Sequence, residues 1–262
     1  MDYKTMTPKE ARMLIREGKI TTHTSGMCPG YAQANLAVLP KDLAYDFLLF
    51  TQRNPKPCPI LEVGDVGSRK LNFIAEDCDI ARDIPKYRIY EKGILKGEYE
   101  DVSDFWRDDL VPFLIGCSFS FESEMIDAGM EIRHNTMGRN VPMYITNIET
   151  TPAGIFHGPT TVSMRPVPYD QIVKAVKVTG AMPQVHGAPI HIGDPAAIGI
   201  KDIMKPDFGD PVDIYPGEVP VFWACGVTPQ SVLMSVKPDF VITHSPGYML
   251  ITDVKNVDLK YK

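Results

Sequence analysis

Apolar segments in this chain are short and are interrupted by glycine and proline. The longest apolar run, residues 219–227, spans nine residues and already contains Pro220 and Gly226. A helix that crosses a membrane needs about 20 apolar residues, so no membrane span is predicted. Short strand-like runs alternate instead with amphipathic helical segments along the whole chain. This alternation predicts an α/β fold.

The composition allows a folded core and argues against several classes of protein. The chain has 262 residues, of which 44% are hydrophobic and 23% charged, so one large or two modest domains are expected. The net charge is −6 and no stretch is strongly basic, which argues against a nucleic-acid partner. The charged N-terminus carries no apolar signal segment, and the five cysteines form no C-x-x-C pair. We therefore expect a cytoplasmic protein.

Local patterns predict the order of helices and strands. Thr7 and Glu10 form a capping box before a helix, and the proline-rich segment 54–59 excludes both a helix and an inner strand. Helices are predicted over residues 32–38, 41–51, 103–115, 119–128 and 169–178, and from residue 228 onward. Strands are predicted over residues 60–63, 87–91, 94–99, 131–134, 141–148, 160–165, 212–215, 219–223, 240–243 and 249–252.

Reactive side chains concentrate beside glycine and proline in five short stretches. The first stretch, residues 116–122, lies at a predicted helix start. Free N–H groups there bind anions, and a thiol there ionises more easily. The candidates are Cys117, Ser118 and Ser120. The alternative interpretation is a buried cysteine followed by capping serines.

The second and third stretches each contribute an arginine. Arg139 and Asn140 follow Gly138, and Arg165 lies at the end of a predicted strand. A guanidinium group binds a carboxylate through two parallel hydrogen bonds, and ligands gather beyond strand ends in open α/β sheets. We expect Arg139 and Arg165 to bind substrate carboxylates. A structural ion pair is the alternative for each.

The fourth stretch holds His186, His191 and Asp194 among glycines and prolines that forbid a helix. Histidine titrates near neutral pH and serves as acid, base or metal ligand. Three interpretations stay open: proton transfer or substrate binding, a divalent metal site for Mn²⁺ or Mg²⁺, and a structural role. The spacing of the histidines matches neither the H-E-x-x-H motif nor a zinc finger.

The fifth stretch combines residues 223–230 with residues 243–248. Thr228 is a good N-cap, and the glycine turn before it forms a seat for an anion. His244 follows a predicted strand and is a candidate acid or base, whereas Cys225 is interpreted as packing rather than as a nucleophile. The sequence contains no Walker A, G-x-G-x-x-G or G-x-S-x-G motif, which disfavours nucleotide kinases, Rossmann dehydrogenases and α/β-hydrolases.

Several long segments resemble the D-glutamate cyclase family, many of whose bacterial members are named hydro-lyases. The matching segments include WRDDLVPFLIGCSFSFE, HGAPIHIGDPAAIGIKD and ITHSPGYMLITD, at residues 106–122, 186–202 and 242–253. Others lie at residues 29–40, 46–63, 138–148, 162–166 and 217–230. One departure is Tyr248, which stands where we expected a second histidine. A role that needs two imidazoles in that loop is therefore not expected.

The resemblance implies an architecture and an activity. The architecture is α/β, with two interleaved mixed α/β subdomains. We expect a layered α/β/α sandwich from residues 1–115 with 206–262, and a smaller α+β sandwich from residues 116–205. The implied activity is a hydro-lyase reaction, the cyclisation of D-glutamate to 5-oxo-D-proline with loss of water.

The resemblance does not specify catalytic residues, so we assign the roles of the candidate residues from the chemistry of their side chains. We assign proton transfer to His191 and Asp194, which with His186 would hold a metal if one is used. His244 is an alternate acid or base, and Cys117 a less favoured covalent nucleophile. The substrate-binding set is Arg139, Arg165, Ser118, Ser120, His186, Asn140 and Thr228. We expect Arg165, His191 and His244 to line one hollow that holds a small carboxylate substrate.

Two other classes of function stay open. One is a dehydratase or hydratase that acts on another small acidic or keto acid. The other is a non-catalytic protein that binds a small acid on the same scaffold. No membrane partner is expected, and a homo-oligomer is compatible with either class.

Overall fold

A computed structural model describes residues 5–260, so the two ends of the predicted larger subdomain, residues 1–4 and 261–262, lie outside the described residues. The helices are α1 (Pro8–Arg16), α2 (Lys41–Arg53), α3 (Phe119–Asp127), α4 (Arg133–Thr136), α5 (Ile172–Gly180) and α6 (Thr228–Val236). The strands are β1 (Tyr31–Pro40), β2 (Ile60–Val63), β3 (Tyr87–Glu91), β4 (Ile94–Tyr99), β5 (Leu110–Gly116), β6 (Met143–Glu149), β7 (Pro159–Pro168), β8 (His191–Ile192), β9 (Glu218–Ala224), β10 (Val241–His244) and β11 (Leu250–Lys255). In this part of the chain, no helix is both long enough and apolar enough to span a membrane.

A seven-stranded antiparallel sheet is built around β1. Its order is β2-β5-β1-β10-β3-β4, and β11 pairs with β1 next to β10. The predicted helix over residues 32–38 is wrong, because this segment is β1. The predicted helix over residues 103–115 is also wrong, because only Ser103–Phe105 forms a short 3-10 turn before β5. Strands β1 and β5 are buried on both faces. Their apolar sequences therefore lack the alternation of apolar and polar residues that distinguishes a strand from a buried helix.

The second sheet has four antiparallel strands in the order β6-β7-β9-β8. The predicted strand over residues 131–134 is wrong, because the short helix α4 occupies this position, and residues 212–215 form no strand. Strand β9 belongs to this sheet, although the predicted boundary near residue 205 assigned it to the larger subdomain. The division into two subdomains itself stays a prediction.

Helices pack on one face of each sheet. Phe47 of α2 and Leu233 of α6 pack on the seven-stranded sheet beside Phe113, and residues 71–84 cover its other face. Helices α3 and α5 pack beside Val221 and Trp223 on one face of the four-stranded sheet. This mixture of helices with antiparallel sheets confirms the α/β class.

The capping box at the start of α1 is confirmed. Thr7 Oγ1 accepts the Glu10 N–H, and Glu10 Oε2 accepts the Thr7 N–H at 2.9 Å. Both bonds satisfy donors that a helix start leaves without partners, so the helix begins where the sequence predicts.

His244 fills the place where β10 and β11 diverge beside β1. Strand β10 pairs with β1 at Ala37 and Val38, whereas β11 pairs with it from Ala34 backward. At Leu36, between the two ladders, His244 Nδ1 accepts the backbone N–H at 3.1 Å. The imidazole thus replaces a missing strand partner, and burial lowers its pKa to about 4.

We expect the protein to lose stability below pH 6.5 because of His244 and His186, which is also buried with a pKa lowered to about 4. Their pKa in the unfolded chain is about 6.5. The unfolded state therefore binds protons first as the pH falls, and stability is lost between these two values. From about pH 7.5 to about pH 5, each histidine should cost about 2 kcal/mol.

Urea unfolding of the wild type, His244→Gln and His186→Gln across this pH range tests the prediction. Each variant should lose about half of the acid-induced destabilisation, whereas His157→Gln, at an exposed histidine, should lose none of it. An identical pH dependence in all four proteins would contradict this account.

Candidate functional site

A buried cluster of charged side chains joins the two sheets. Glu122 lies in the first turn of α3, which begins just after β5, and Arg165 lies on β7. Arg165 Nε donates to Glu122 Oε1 at 3.1 Å, and its Nη2 also contacts that oxygen. The guanidinium donates further to Ser118 Oγ at 3.0 Å and to Ser163 Oγ at 2.8 Å. It is therefore engaged by internal partners on every side.

Glu122 also faces an imidazole. His134 Nε2 lies 3.2 Å from Glu122 Oε1, an ion-pair distance, although the ring is not oriented for a hydrogen bond. Burial alone would raise the pKa of Glu122. The charges of His134 and Arg165, together with the hydrogen bonds that Arg165 donates, outweigh burial and hold this pKa at about 2. Glu122 is thus a carboxylate at any physiological pH.

Polar atoms without hydrogen-bond partners among the described residues lie near His134. His23 is near both His134 and Asp210, and burial and the His134 charge lower its pKa while Asp210 opposes them. Asp210 Oδ2 accepts the Asn140 N–H at 2.9 Å. Among the described residues, His23 Nδ1 and Asn140 Oδ1 are buried atoms that make no hydrogen bond. Since buried polar atoms are normally paired, these two are available for a ligand.

Asn140 ties this group to the loop after β10. Its Nδ2 donates to the Pro246 carbonyl at 3.3 Å, and a Cβ on Gly247 would lie 2.6 Å from that nitrogen. Glycine is therefore required where the loop approaches the amide.

A small cavity adjoins the ion pair. It has a volume of about 60 Å³. Its wall includes Phe119, Glu122 and Asn135, together with residues of the segment 26–31. A water occupies about 30 Å³ in the liquid, so the cavity holds about two waters.

Some of the predicted site residues are brought to this cluster. Ser118 and Arg165 are hydrogen-bonded to each other, and Asn140 lies with His23 and Asp210 as described above. His186 is near enough to Arg165 for that charge to lower its pKa, after burial as the main cause, and its Nδ1 lies 2.9 Å from the Lys56 carbonyl. Arg139 is half-buried, and its Nη1 donates to the Pro211 carbonyl at 2.6 Å.

Other predicted residues have internal structural contacts. Ser120 Oγ accepts the Gln33 N–H at 2.9 Å, and Thr228 Oγ1 accepts the Thr161 N–H at 3.0 Å. Cys117 is buried, and burial raises the pKa of its thiol, which opposes the thiolate that a nucleophile needs. Cys225 is buried as well, and burial raises its pKa to about 11.

The predicted hollow shared by Arg165, His191 and His244 is not formed. Arg165 pairs with Val221 and His191 pairs with Phe222 across β9. Neighbouring residues of a strand face opposite sides of the sheet, so these two side chains are on opposite faces. His244 is within the seven-stranded sheet, bonded to Leu36.

The predicted metal set is not assembled either. The His191 ring packs at a tilt against Phe222, with its Nε2 2.7 Å from the main-chain carbonyl of Asp194. The Asp194 carboxylate accepts the Ala196 N–H instead of facing a histidine. Over residues 5–260, no group of three or more His, Cys, Asp or Glu side chains is arranged to hold a metal ion.

Sequence reasoning missed four residues of this site. Glu122 lies within the first stretch and His134 within the predicted strand 131–134, but neither received a role, and His23 and Asp210 lay outside the five stretches. Glu122 is four residues after Ser118, which is one helical turn, and this spacing was the available signal. Nothing in the sequence connects His23 or Asp210 to His134.

We expect Glu122→Gln to destabilise the protein by about 3–5 kcal/mol, because it leaves the buried Arg165 charge without its carboxylate. Urea unfolding at neutral pH measures the effect. Glu124→Gln is the matched control, since it removes a more exposed carboxylate paired with Lys260 from the same helix and should cost at most about 1 kcal/mol. Equal destabilisation by both substitutions would contradict the central place of the Glu122 pair.

Several known proteins that are similar to this chain are named as hydro-lyases. A protein named "Putative hydro-lyase" from Clostridium beijerinckii is 72% identical over 261 residues and covers 100% of both chains. "Putative hydro-lyase Teth514_1597" from Thermoanaerobacter sp. and "Putative hydro-lyase YcsI" from Bacillus subtilis are 62% and 61% identical. Their matches cover 98% and 97% of this chain, and 97% and 99% of their own. Among solved structures, a nitrogen repressor-like protein from Methanococcus jannaschii matches with a TM-score of 0.40 and 11% identity over 92% of this chain and 93% of its own, and nothing is concluded from it.

The family model described as D-glutamate cyclase matches residues 111–253, a range that contains Glu122, His134, Asn140, Arg165 and Asp210. The relatives carry the name of hydro-lyases, which are carbon–oxygen lyases. With more than half of the chain matched and full-length relatives above 60% identity, this chain belongs to the D-glutamate cyclase family.

Proposed function

We propose that this protein is a hydro-lyase that converts D-glutamate to 5-oxo-D-proline and water. The observation that carries the proposal is the buried pair of Glu122 and His134. Beside it, the unpartnered atoms of His23 and Asn140 can bind a polar ligand. The family to which the chain belongs supports this choice of substrate.

The reaction poses two protonation problems. The substrate nitrogen attacks the γ-carboxyl carbon, a C–N bond forms, and a C–O bond breaks to release water. The ammonium must first lose a proton, at a cost of at least about 1.4 kcal/mol at neutral pH. The γ-carboxylate must gain one, at a cost of about 3.7 kcal/mol at pH 7. A group that accepts the first proton and delivers the second solves both problems.

We assign this proton transfer to His134. Glu122 faces Nε2 of the ring, so Nδ1 is the nitrogen left to exchange protons with a substrate. Arg165 acts on Glu122 rather than on the substrate, because its donors are already used by Glu122, Ser118 and Ser163. Glu122 and Arg165 are therefore positioning residues for the imidazole.

Arg139 and Asn140 supply the binding of the substrate. Of the donors of the Arg139 guanidinium, only Nη1 is hydrogen-bonded to a residue in the range 5–260, so others are left for a carboxylate. The unpartnered Asn140 Oδ1 is an acceptor for the substrate ammonium. Asn140 is adjacent to Arg139 in sequence, and the Arg139 N–H donates to the His134 carbonyl at 2.8 Å. This backbone bond ties the binding residues to the proposed acid–base group.

A cytoplasmic location, the absence of a nucleic-acid partner and a homo-oligomeric state stay predictions from the sequence. The same applies to a requirement for Mn²⁺ or Mg²⁺, for which activity with and without each added ion is the direct measurement.

We expect purified protein to convert D-glutamate into a product lighter by the mass of water, detected by mass spectrometry. His134→Ala should lower kcat about 10²–10⁴-fold, the usual effect of removing a general acid or base. His157→Ala, at an exposed histidine, is the control and should retain full activity. His191→Ala separates this assignment from the one made from sequence, and should also retain activity because His191 lies on the other face of the sheet.

Turnover of L-glutamate, hydroxy acids or keto acids without turnover of D-glutamate would refute the proposed substrate. Undiminished turnover by a folded His134→Ala protein would refute the assigned role.

We expect Arg139→Gln to raise KM for D-glutamate about tenfold or more, with a smaller change in kcat, because it removes a charged contact to a carboxylate. Arg53→Gln is the matched control, since Arg53 also donates a single hydrogen bond to a backbone carbonyl, that of Pro152, and is exposed. Steady-state kinetics of both variants give the comparison. An unchanged KM in Arg139→Gln would exclude this arginine from substrate binding.

A further inference from the structure

A larger cavity lies apart from the Glu122 cluster, on the side of the seven-stranded sheet that residues 71–84 cover. Its volume is about 790 Å³, within the range of about 300–1,000 Å³ usual for small-molecule sites. Its lining comes from the end of α1, the loop after β2 and the segment before β5, and includes Arg16, Arg69, Lys70, Ser103, Trp106 and Asp108. The lining lies wholly within residues 16–108, before the family match begins at residue 111.

The frame of this cavity is held by hydrogen bonds within the protein. The Gly67 N–H donates to the Leu110 carbonyl at 2.7 Å, and the Trp106 indole N–H donates to the Gly67 carbonyl at 3.1 Å. Gly67 has a φ of +76°, and a Cβ there would meet the Asp108 carbonyl oxygen at 2.8 Å. On the opposite side, Arg16 makes two hydrogen bonds of 2.7 Å to Asp83. The walls are therefore fixed before any ligand binds.

Several charged and polar groups on these walls lack partners among the described residues, and of these Lys70 and Asp108 are exposed to solvent. Within residues 5–260, Lys70 Nζ and the Asp108 carboxylate have no ion-pair partner within 4.0 Å. Arg69 makes one contact, from Nη2 to Asp79 at 3.1 Å, and its remaining N–H donors have no acceptor. Ser103 Oγ is buried and makes no hydrogen bond in the same part of the chain. Asp77, also on the wall, is already paired with Lys9 at 2.6 Å.

These unpaired groups define the chemistry of a ligand. Lys70 and Arg69 suit a carboxylate, and Asp108 suits an ammonium. Leu71 and the half-buried ring of Trp106 offer apolar surface beside them. A ligand with both a carboxylate and an ammonium group pairs with Lys70 and with Asp108. A simple anion pairs only with Lys70 and Arg69.

We propose that this cavity is a second binding site, specific for amino acids in their zwitterionic form and separate from the Glu122–His134 site. The ligand carboxylate contacts Lys70 and Arg69, and its ammonium contacts Asp108. The two sites share no residue. The inference goes beyond the proposed function and holds whether or not D-glutamate is the substrate.

Calorimetric titration with L-glutamate and with glutarate, which has two carboxylates and no ammonium, tests the proposal. We expect saturable binding of L-glutamate both to the wild type and to His134→Ala. Asp108→Asn should weaken L-glutamate binding about tenfold and leave glutarate binding unchanged, whereas Lys70→Gln should weaken both ligands about tenfold. Asp127→Asn and Lys177→Gln, at exposed residues without ion pairs in the described chain, are matched controls and should bind as the wild type does.

Trp106 provides an independent signal. The chain has two tryptophans, and the other, Trp223, is fully buried beside Arg165. A change of fluorescence on adding L-glutamate should disappear in Trp106→Phe.

Three results would overturn the proposal. The first is the absence of saturable L-glutamate binding. The second is equal weakening of L-glutamate and glutarate by Asp108→Asn. The third is loss of binding in folded His134→Ala with normal binding in the cavity variants, which would assign all binding to the Glu122–His134 site. Failure of the proposed function is recognised separately, by the absence of D-glutamate turnover.

Discussion

The contact on which the candidate site depends is the buried ion pair between Glu122 and Arg165. It joins α3, which follows the seven-stranded sheet, to β7, a central strand of the four-stranded sheet. Burying two charges costs several kcal/mol per ion unless the pair is close and its remaining hydrogen-bonding atoms are satisfied. Ser118 and Ser163 satisfy the rest of the guanidinium, and the rings of Phe121 and Trp223 lie within 5.0 Å and 5.5 Å of it. Because the desolvation cost is so large, this pair is weak evidence for stability. Its stronger consequence is that the Glu122 carboxylate is held in one place, facing His134.

Close backbone packing at two glycines brings Glu122 and Arg165 together where the two sheets meet. A Cβ on Gly226 would lie 2.0 Å from Asn35 Nδ2, and a Cβ on Gly116 would lie 2.1 Å from the Gln184 carbonyl oxygen. Asn35 itself donates to the Gly116 carbonyl at 2.9 Å. The turn before α6 therefore approaches β1, and the end of β5 before α3 approaches Gln184, at positions where only glycine fits. The serine and the threonine that follow these glycines, Ser120 and Thr228, bond to the protein itself.

Local sequence signals, such as caps and turns, predicted the helices and strands that carry them at their ends. They failed for strands that are buried on both faces. The capping box of α1 and the hairpin of β3 and β4 depend on neighbouring residues and were predicted correctly. Strands β1 and β5 are buried on both faces, so their apolar runs had no period to distinguish them from helices. For the site, motifs identified Ser118, Arg165 and Asn140 but not which face each strand residue takes. A one-residue difference in register across β9 separates Arg165 from His191, and register depends on pairing that one strand's sequence does not contain.

The cavity beside Glu122 is lined by neither His134 nor the proposed binding residues Arg139 and Asn140, and it is too small for a substrate such as glutamate. A volume of about 60 Å³ holds about two waters, far less than the roughly 300 Å³ at the lower end of small-molecule sites. One wall is the segment 26–31, and the two residues before it are held differently. Thr24 is anchored by its N–H to the Gly247 carbonyl at 2.9 Å and by its hydroxyl to Gln33 at 2.7 Å.

Ser25, in contrast, is held across the cavity by one side-chain bond of 2.7 Å to Asn135. The segment 26–31 is held by further contacts, because the Gly30 carbonyl accepts the Asn256 N–H at 2.8 Å and Met27 and Cys28 are buried. A molecule as large as glutamate therefore does not fit this cavity without breaking those contacts, and the proposed binding by Arg139 and Asn140 does not use it. Glu122, Arg165 and His134 are held independently of the segment, because none of their mutual contacts involves it.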